Sequence, residues 1–154
     1  MSAELDCLAH SLITDVAMLS EGSVLLVRYK DVEQYDGETG WFLPDDEMRR
    51  LEHPGRAALR IAEEQLGVRL EAPRLGVIES FQGNNGTWHL SFHYVAEVPS
   101  LPEVSPSPIV EEARWFPLSN LPPRSDVAHH GWALTVLEKI LSKNDVATIG
   151  PPEG

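Results

Sequence analysis

The sequence is poor in cysteine, and Cys7 is the only one in 154 residues. A single cysteine excludes an internal disulfide framework and any cysteine-rich zinc site. It is typical of a protein that works in a reducing compartment.

Cationic side chains are also scarce. The sequence has 12 Lys and Arg residues against 24 Asp and Glu residues, so its formal net charge is −12. Binding to a polyanion depends on clustered Lys and Arg side chains that release counterions, and no basic run is present. The composition therefore argues against a nucleic-acid partner or an anionic membrane surface. A small phosphate ligand remains compatible with it if a metal ion intervenes.

No apolar run approaches the roughly 20 residues that span a bilayer. Glu4 and Asp6 stand where a signal peptide would carry positive charge. We therefore expect a soluble cytoplasmic protein. Its ordinary globular composition predicts a single domain over residues 1–143, followed by a flexible C-terminal tail at 144–154.

Hydrophobic periodicity and turn signals predict a mixture of hairpins and two helices, which is typical of one α/β or α+β layer domain. The second arm of the second hairpin alternates, with Trp88, Leu90, Phe92 and Tyr94 on one face and His89, Ser91, His93 and Val95 on the other. The predicted elements are a hairpin of His10–Met18 and Val24–Tyr29, a helix at Pro54–Leu66, a hairpin of Leu75–Phe81 and Thr87–Val98, a proline-rich loop at 99–108, a strand at Glu112–Pro117, and a helix from an N-cap at Asp126 to about Lys143.

The segment from Trp41 to Val68 resembles the signature of the Nudix hydrolases, which reads Gly, five residues, Glu, seven residues, Arg-Glu-U-x-Glu-Glu-x-Gly-U, where U is bulky and apolar. The residues that fit it are Glu52, Arg60, Glu64, Gly67 and Val68, with Ala62 as a small substitute at the first U. Three positions depart from it, with Asp46 for the first glycine, Ile61 for the glutamate after the arginine, and Gln65 for the last glutamate.

Two segments outside this box are also similar to the family. Leu43-Pro44 looks like the family's Leu-Pro-Gly-Gly entry, and Glu112 to Leu118 looks like its late strand. The resemblance implies a Nudix-type α/β/α sandwich with a mixed sheet between helices. Since many relatives pair, a homodimer is one expected assembly, although charge and alternation identify no interface.

The resemblance also implies Mg²⁺ or Mn²⁺ bound with a diphosphate, because hard cations take oxygen ligands and neutralise the phosphates during hydrolysis. In the family, glutamates at positions 61, 64 and 65 supply most of those oxygens. Only Glu64 remains here, so we expect weak metal binding, if any. The neighbouring Glu63 should point away from the site, because about 200° of helix rotation separates it from positions 61 and 65.

The candidate site residues follow from this register. The catalytic candidates are Glu64, Glu52 and Arg60, and the metal candidates are Glu64, Glu52 and Asp46. The candidates for contacts with the substrate are Arg28, Arg49, Arg50, Phe81 and Trp88. His89 and His93 share a strand face but lie about 13 Å apart, too far to hold one metal ion together, so substrate contact or plain sheet surface is the expected role.

Two functions stay open at this point. The first is a Nudix-type hydrolase of a nucleoside diphosphate linked to another moiety, with a degenerate and impaired metal site. The second is an inactive Nudix-fold module that binds a nucleotide-like small molecule. The register of the box favours the first, and the losses at Ile61 and Gln65 favour the second.

Overall fold

The computed structural model describes residues 10–35, 37–82 and 86–149, apart from the side chains at 34, 35 and 143–149. Cys7 and the last five residues of the predicted tail lie outside the described residues. The elements are β1 (His10–Ser20), β2 (Ser23–Tyr29), a 3₁₀ turn (Val32–Tyr35), β3 (Asp45–Glu47), α1 (Pro54–Leu66), β4 (Arg74–Gln82), β5 (Trp88–Glu97), β6 (Val110–Pro117), a 3₁₀ turn (Arg124–Asp126) and α2 (Ala128–Ile149).

The strands form one mixed sheet in the order β4-β5-β1-β2-β6, with β3 paired to the free part of β1. Of the strand pairs in the described residues, β1 with β5 is parallel and the other four are antiparallel. β1 and β2 are joined by Glu21 and Gly22, both at positive φ, which is the geometry of a two-residue hairpin turn. Both predicted hairpins are confirmed.

The helices cover opposite faces of this sheet. Ala58, Ile61 and Leu66 of α1 belong to one buried core, and Val136 and Ile140 of α2 belong to the other. Alternation along β5 divides its side chains between the two faces as predicted, with Tyr94 in the α1 core and Val95 in the α2 core. The predicted sandwich is therefore confirmed.

Local chemistry explains why α1 begins and ends where the periodicity predicts. The Nδ1 atom of His53 accepts a hydrogen bond from the backbone N–H of Gly55, and Pro54 occupies the first turn, where its missing N–H is harmless. Gly67 ends the helix at φ 69°, a left-handed conformation that favours glycine.

Three parts of the prediction need correction. Asp45–Glu47 forms a short strand that pattern alone does not indicate, because it is only three residues long and acidic. Asp126 is no N-cap, since it lies in a 3₁₀ turn and its carbonyl accepts from Trp41. At its other end α2 continues to Ile149, past the predicted end at Lys143.

Among the described residues, no helix is long and apolar enough to cross a membrane.

Candidate functional site

Arg60 is the centre of the ion pairs beside α1. Its Nε and Nη2 atoms donate to the two carboxylate oxygens of Glu52 at 2.8 and 3.0 Å. Nη1 donates to Asp46 at 2.9 Å, and Nη2 also donates to the carbonyl oxygen of Glu47 at 3.1 Å. The guanidinium therefore ties the loop after β3 to the helix, and its side chain is only 9% exposed.

The electrostatics of the pair strengthen this attachment. Hydrogen bonds from Arg60 hold the pKa of Glu52 below its usual value, and Glu52 in turn raises the pKa of Arg60. Glu52 also accepts the backbone N–H of Arg49 at 2.9 Å, which closes the turn at residues 49–52. Leu51 sits in this turn at φ 67°.

Glu64 lies at the edge of the same cluster and is half exposed. Its Oε1 atom accepts from Arg49 at 3.1 Å and lies 3.7 Å from Nη1 of Arg60. Glu63, by contrast, pairs loosely with Arg69 at 3.8 Å, away from this cluster. The single remaining helix glutamate of the box is thus paired to a guanidinium in this structure.

Gln65 is buried in a closed ring of three hydrogen bonds. The backbone N–H of Asp45 donates to the hydroxyl of Tyr29 at 3.0 Å, and that hydroxyl donates to Oε1 of Gln65 at 2.7 Å. Nε2 of Gln65 completes the ring by donating to the carbonyl oxygen of Asp45 at 2.9 Å. A glutamate here would have no proton to offer that carbonyl, so the neutral amide is what this ring requires.

Ile61, one turn earlier on α1, is fully buried in the core on the α1 face. It extends the apolar face of the helix. A carboxylate at this position would be placed among apolar side chains, where ionised groups are strongly disfavoured.

The metal that the family implies would need several oxygen ligands at this site. Among the described residues, no group of three or more His, Cys, Asp or Glu side chains is arranged to hold a metal ion. The carboxylates of Asp46, Glu52 and Glu64 all contact guanidinium groups, and the one candidate oxygen of Gln65 accepts from Tyr29. The donor set therefore does not fit a Nudix-type metal centre.

The predicted substrate contacts do not all converge on one place. Arg49 and Arg50 are exposed in the turn before α1, and Arg49 contacts Glu64. Arg28 pairs with Glu112 on β6 and lies over the Trp41 ring, on the opposite face from Tyr29.

The two predicted aromatic contacts lie on opposite faces of the hairpin formed by β4 and β5. Phe81 stacks on His89 on the α2 face, with 5.2 Å between ring centroids. Trp88 is on the α1 face, and its indole N–H donates to Ser80 at 2.7 Å. One planar ligand group therefore cannot stack on both.

The α2 face holds a row of linked polar side chains, partly buried, that the sequence pattern does not indicate. His93 is completely buried, so the expected role as substrate contact or sheet surface is wrong for it. Its Nδ1 lies 2.7 Å from Asp15 and its Nε2 lies 2.9 Å from Glu79, which also binds Lys139. The alternation of β5 placed His93 on this face, but the parallel pairing that brings Asp15 beside it has no local signal.

The comparisons with known proteins agree with this fold. The family model for the NUDIX domain matches residues 10–135. A search of curated protein sequences found no significant match.

Solved structures give many similar folds. A MutT NUDIX hydrolase from Burkholderia pseudomallei is 27% identical, with a TM-score of 0.70, and the match covers 84% of this chain and 97% of that one. The NUDIX domain of Shewanella oneidensis NrtR, solved with ADP ribose, is 18% identical, with a TM-score of 0.72 and 88% coverage of each chain.

A bifunctional NMN adenylyltransferase/ADP ribose pyrophosphatase from Francisella tularensis, solved with AMP and a Mn ion, is 17% identical with a TM-score of 0.64. That match covers 83% of this chain and 40% of the other. Because the family model spans most of the chain and the fold agrees, this protein belongs to the Nudix family.

Proposed function

We propose that this chain binds a nucleoside diphosphate derivative and has lost the metal-dependent hydrolysis typical of its family. The single cysteine supports a reducing, cytoplasmic compartment as part of the same proposal.

The observation that carries the proposal is the ring formed by Gln65, Tyr29 and Asp45. It joins α1 to β2 and β3 through neutral hydrogen bonds. Together with the apolar packing of Ile61, it removes two negative charges from the helix face that a cation would need. β3 is therefore held against α1 without a metal.

The guanidinium groups of Arg49 and Arg50 are the proposed contacts for the phosphates of the ligand. Both are exposed in an acidic protein whose cations are few. The pair between Arg49 and Glu64 is exposed on both sides, so it is weak and is readily exchanged for a phosphate oxygen.

The class of ligand is supported by the family and by two similar structures. One of them holds ADP ribose and the other holds AMP. Both molecules combine a nucleoside with phosphate, and a ligand of that class would suit the exposed guanidinium groups of the turn.

A second candidate function is a metal-dependent hydrolase with a rebuilt site. It is favoured by one observation, that Asp46 and Glu64 both approach Nη1 of Arg60, at 2.9 and 3.7 Å, while remaining about half exposed. A rearranged Arg60 would leave these two carboxylates close together. Metal-dependent turnover of ADP ribose by the natural protein that disappears in Glu64→Gln would favour this candidate.

Calorimetric titration of ADP ribose in the presence of EDTA tests the proposed function. We expect saturable binding by the natural protein and at least tenfold weaker binding by Arg49→Ala/Arg50→Ala, since each lost charged contact is worth about 1.5 kcal/mol or more. Arg69→Ala is the matched control, because Arg69 is exposed and pairs only loosely with Glu63. Binding that requires Mg²⁺ would contradict the proposal. The absence of any binding would also contradict it.

A further inference from the structure

The main path of the sheet ends in two edge strands, β4 on one side and β6 on the other. An edge strand presents backbone N–H and C=O groups to solvent, and native proteins usually protect it with charges, proline or a bulge. β6 is protected in this way, since it carries Glu111, Glu112 and Arg114 and ends at Pro117. β4 is the longer edge, and its protection is weaker.

Most of β4 is a regular strand with one open side. Among the described residues it pairs with β5 alone. Its one register shift lies at Gly76, between Leu75 and Val77, and from Val77 to Gln82 the ladder is regular. Six residues, or about 20 Å of strand, therefore remain with an open edge, which is the usual length of a strand in a sheet.

Apolar side chains flank this edge on both faces. Leu75 and Ile78 lie on the α1 face and Phe81 lies on the α2 face, as their partners on β5 show. Trp88 of β5 extends toward the edge, because its indole N–H donates to Ser80 of β4. The four apolar side chains are each between 41 and 51% exposed.

The size of this surface suits a protein partner. Large side chains of this kind offer about 200 Å² each, so four half-exposed ones present roughly 400 Å² of apolar surface. A patch of that size is often functional. A standard interface buries about 800 Å² on each partner, of which somewhat more than half is apolar. The apolar side chains and the open backbone of β4 together approach that size.

The charge of this edge favours a second copy of the chain as the partner. The formal net charge of −12 makes two copies repel each other over most of their surfaces. Between Val77 and Gln82 the only charged residue is Glu79, and its carboxylate is paired with Lys139 and His93. Two copies can therefore meet at this edge without like charges facing each other. A basic partner, by contrast, would favour the acidic surface elsewhere.

We propose that two copies of this chain pair through their β4 strands, antiparallel about a two-fold axis, so that their sheets continue into one. Backbone hydrogen bonds then join the open edges, as in other cases of strand addition. The two-fold axis brings the same strand of each copy together, and the apolar side chains of one copy cover those of the other. This pairing is independent of the proposed function, since it involves neither the Arg49 turn nor a nucleotide.

Sedimentation equilibrium of the natural protein over a range of concentrations tests the proposal. We expect the average mass to rise toward twice the mass of the monomer. Ile78→Arg should weaken this association at least tenfold, because the two-fold axis places the new charge in the interface twice. Phe81→Arg should have the same effect from the other face of the strand.

Ile109→Arg is the matched control. Ile109 is 44% exposed, as the side chains of the proposed interface are, but it adjoins β6 at the opposite edge of the sheet. This variant should associate as the natural protein does. Thermal unfolding of the three variants checks that each is folded.

Hydrogen exchange of the natural protein gives a second readout that needs no variant. The backbone N–H groups of Val77–Gln82 should exchange more slowly at high protein concentration than at low, while those of β6 should not change. A monomer at every concentration would overturn the proposal and leave the edge to a strand of another protein. A dimer that both arginine variants leave intact would also overturn it, since its interface would lie elsewhere.

Discussion

At the scale of single residues, the box differs from the family pattern by exchanging charge for neutral contacts. Ile61 and Gln65 replace carboxylates with a side chain that packs in the core and an amide that completes a hydrogen-bonded ring. Asp46 adds a carboxylate in place of glycine, and Arg60 neutralises it. The substitutions fit one another, which indicates a site reorganised as a unit.

Gln65→Glu is expected to destabilise the protein by at least about 2 kcal/mol. The new oxygen would face the carbonyl of Asp45 with no proton between them, in a buried position. Urea unfolding at neutral pH measures this, with Glu63→Gln, an exposed change on the same helix, as the control. Equal stability of the Gln65→Glu protein would show that the ring does not hold β3 against α1.

Arg60→Ala is expected to cost about 2 to 4 kcal/mol, because it leaves the largely buried Glu52 without its bidentate partner and frees Asp46. Arg69→Ala should change stability by less than about 0.5 kcal/mol, since that ion pair is exposed. Both values come from urea unfolding at pH 7. Similar losses in the two variants would mean that Arg60 does not anchor the loop.

At the scale of elements, α1 is defined by its ends as much as by its apolar face. The side chain of His53 caps the first turn, and Gly67 ends the last one. The helix carries no acidic residue in its first turn, so the cap is the main polar contribution there.

His53→Ala is therefore expected to destabilise the protein by about 1 kcal/mol, because the N–H of Gly55 loses its acceptor. His53→Asp should recover most of this loss, since aspartate is a good N-cap and its charge is favourable at a helix N-terminus. Thermal unfolding of the three proteins measures the effect. An Asp variant as unstable as the Ala variant would exclude a capping role.

The elements that were predictable from sequence are those with a local signal. The periodicity of Pro54–Leu66 and the alternation of β5 predicted the α1 helix and the two faces of the sheet. The three-residue β3 and the pairing of Asp15 with His93 depend on contacts between distant segments, which no local pattern records. The register of the box located Arg60, but the ring of Gln65 and Tyr29 needed the structure.

At the scale of the whole molecule, the sheet separates two polar centres. The α1 face carries the Arg60 cluster, and the α2 face carries the chain from Asp15 through His93 to Glu79 and Lys139. When His93 is protonated, the formal charges of Asp15, His93, Glu79 and Lys139 sum to zero. This neutrality is how a buried imidazole between two carboxylates is tolerated.

The folded protein is expected to lose stability as the pH rises above about 6.5. Burial lowers the pKa of His93, but hydrogen bonds to Asp15 and Glu79 outweigh this and raise it from the ordinary value of 6.5. A raised folded-state pKa gives stability that is complete below the unfolded value and is lost as the pH rises through the folded one. Burial also raises the pKa of Asp15. This shift likewise makes the stability of the folded protein fall as the pH rises, beginning at a lower pH than the effect of His93.

Urea unfolding between pH 6 and pH 9 measures this slope. His93→Gln should abolish the decline above pH 6.5, and His130→Asn, a change at an exposed histidine, should leave it in place. A natural protein whose stability is flat over this range would refute a protonated His93.

The most direct test of the central claim is the release of products from ADP ribose by the natural protein with Mg²⁺ or Mn²⁺, measured beside Glu64→Gln. We expect ADP ribose to bind and to be recovered intact, with no difference between the two proteins. Metal-dependent release of AMP that disappears in Glu64→Gln would contradict it, and would show that the remaining carboxylates form a working metal site.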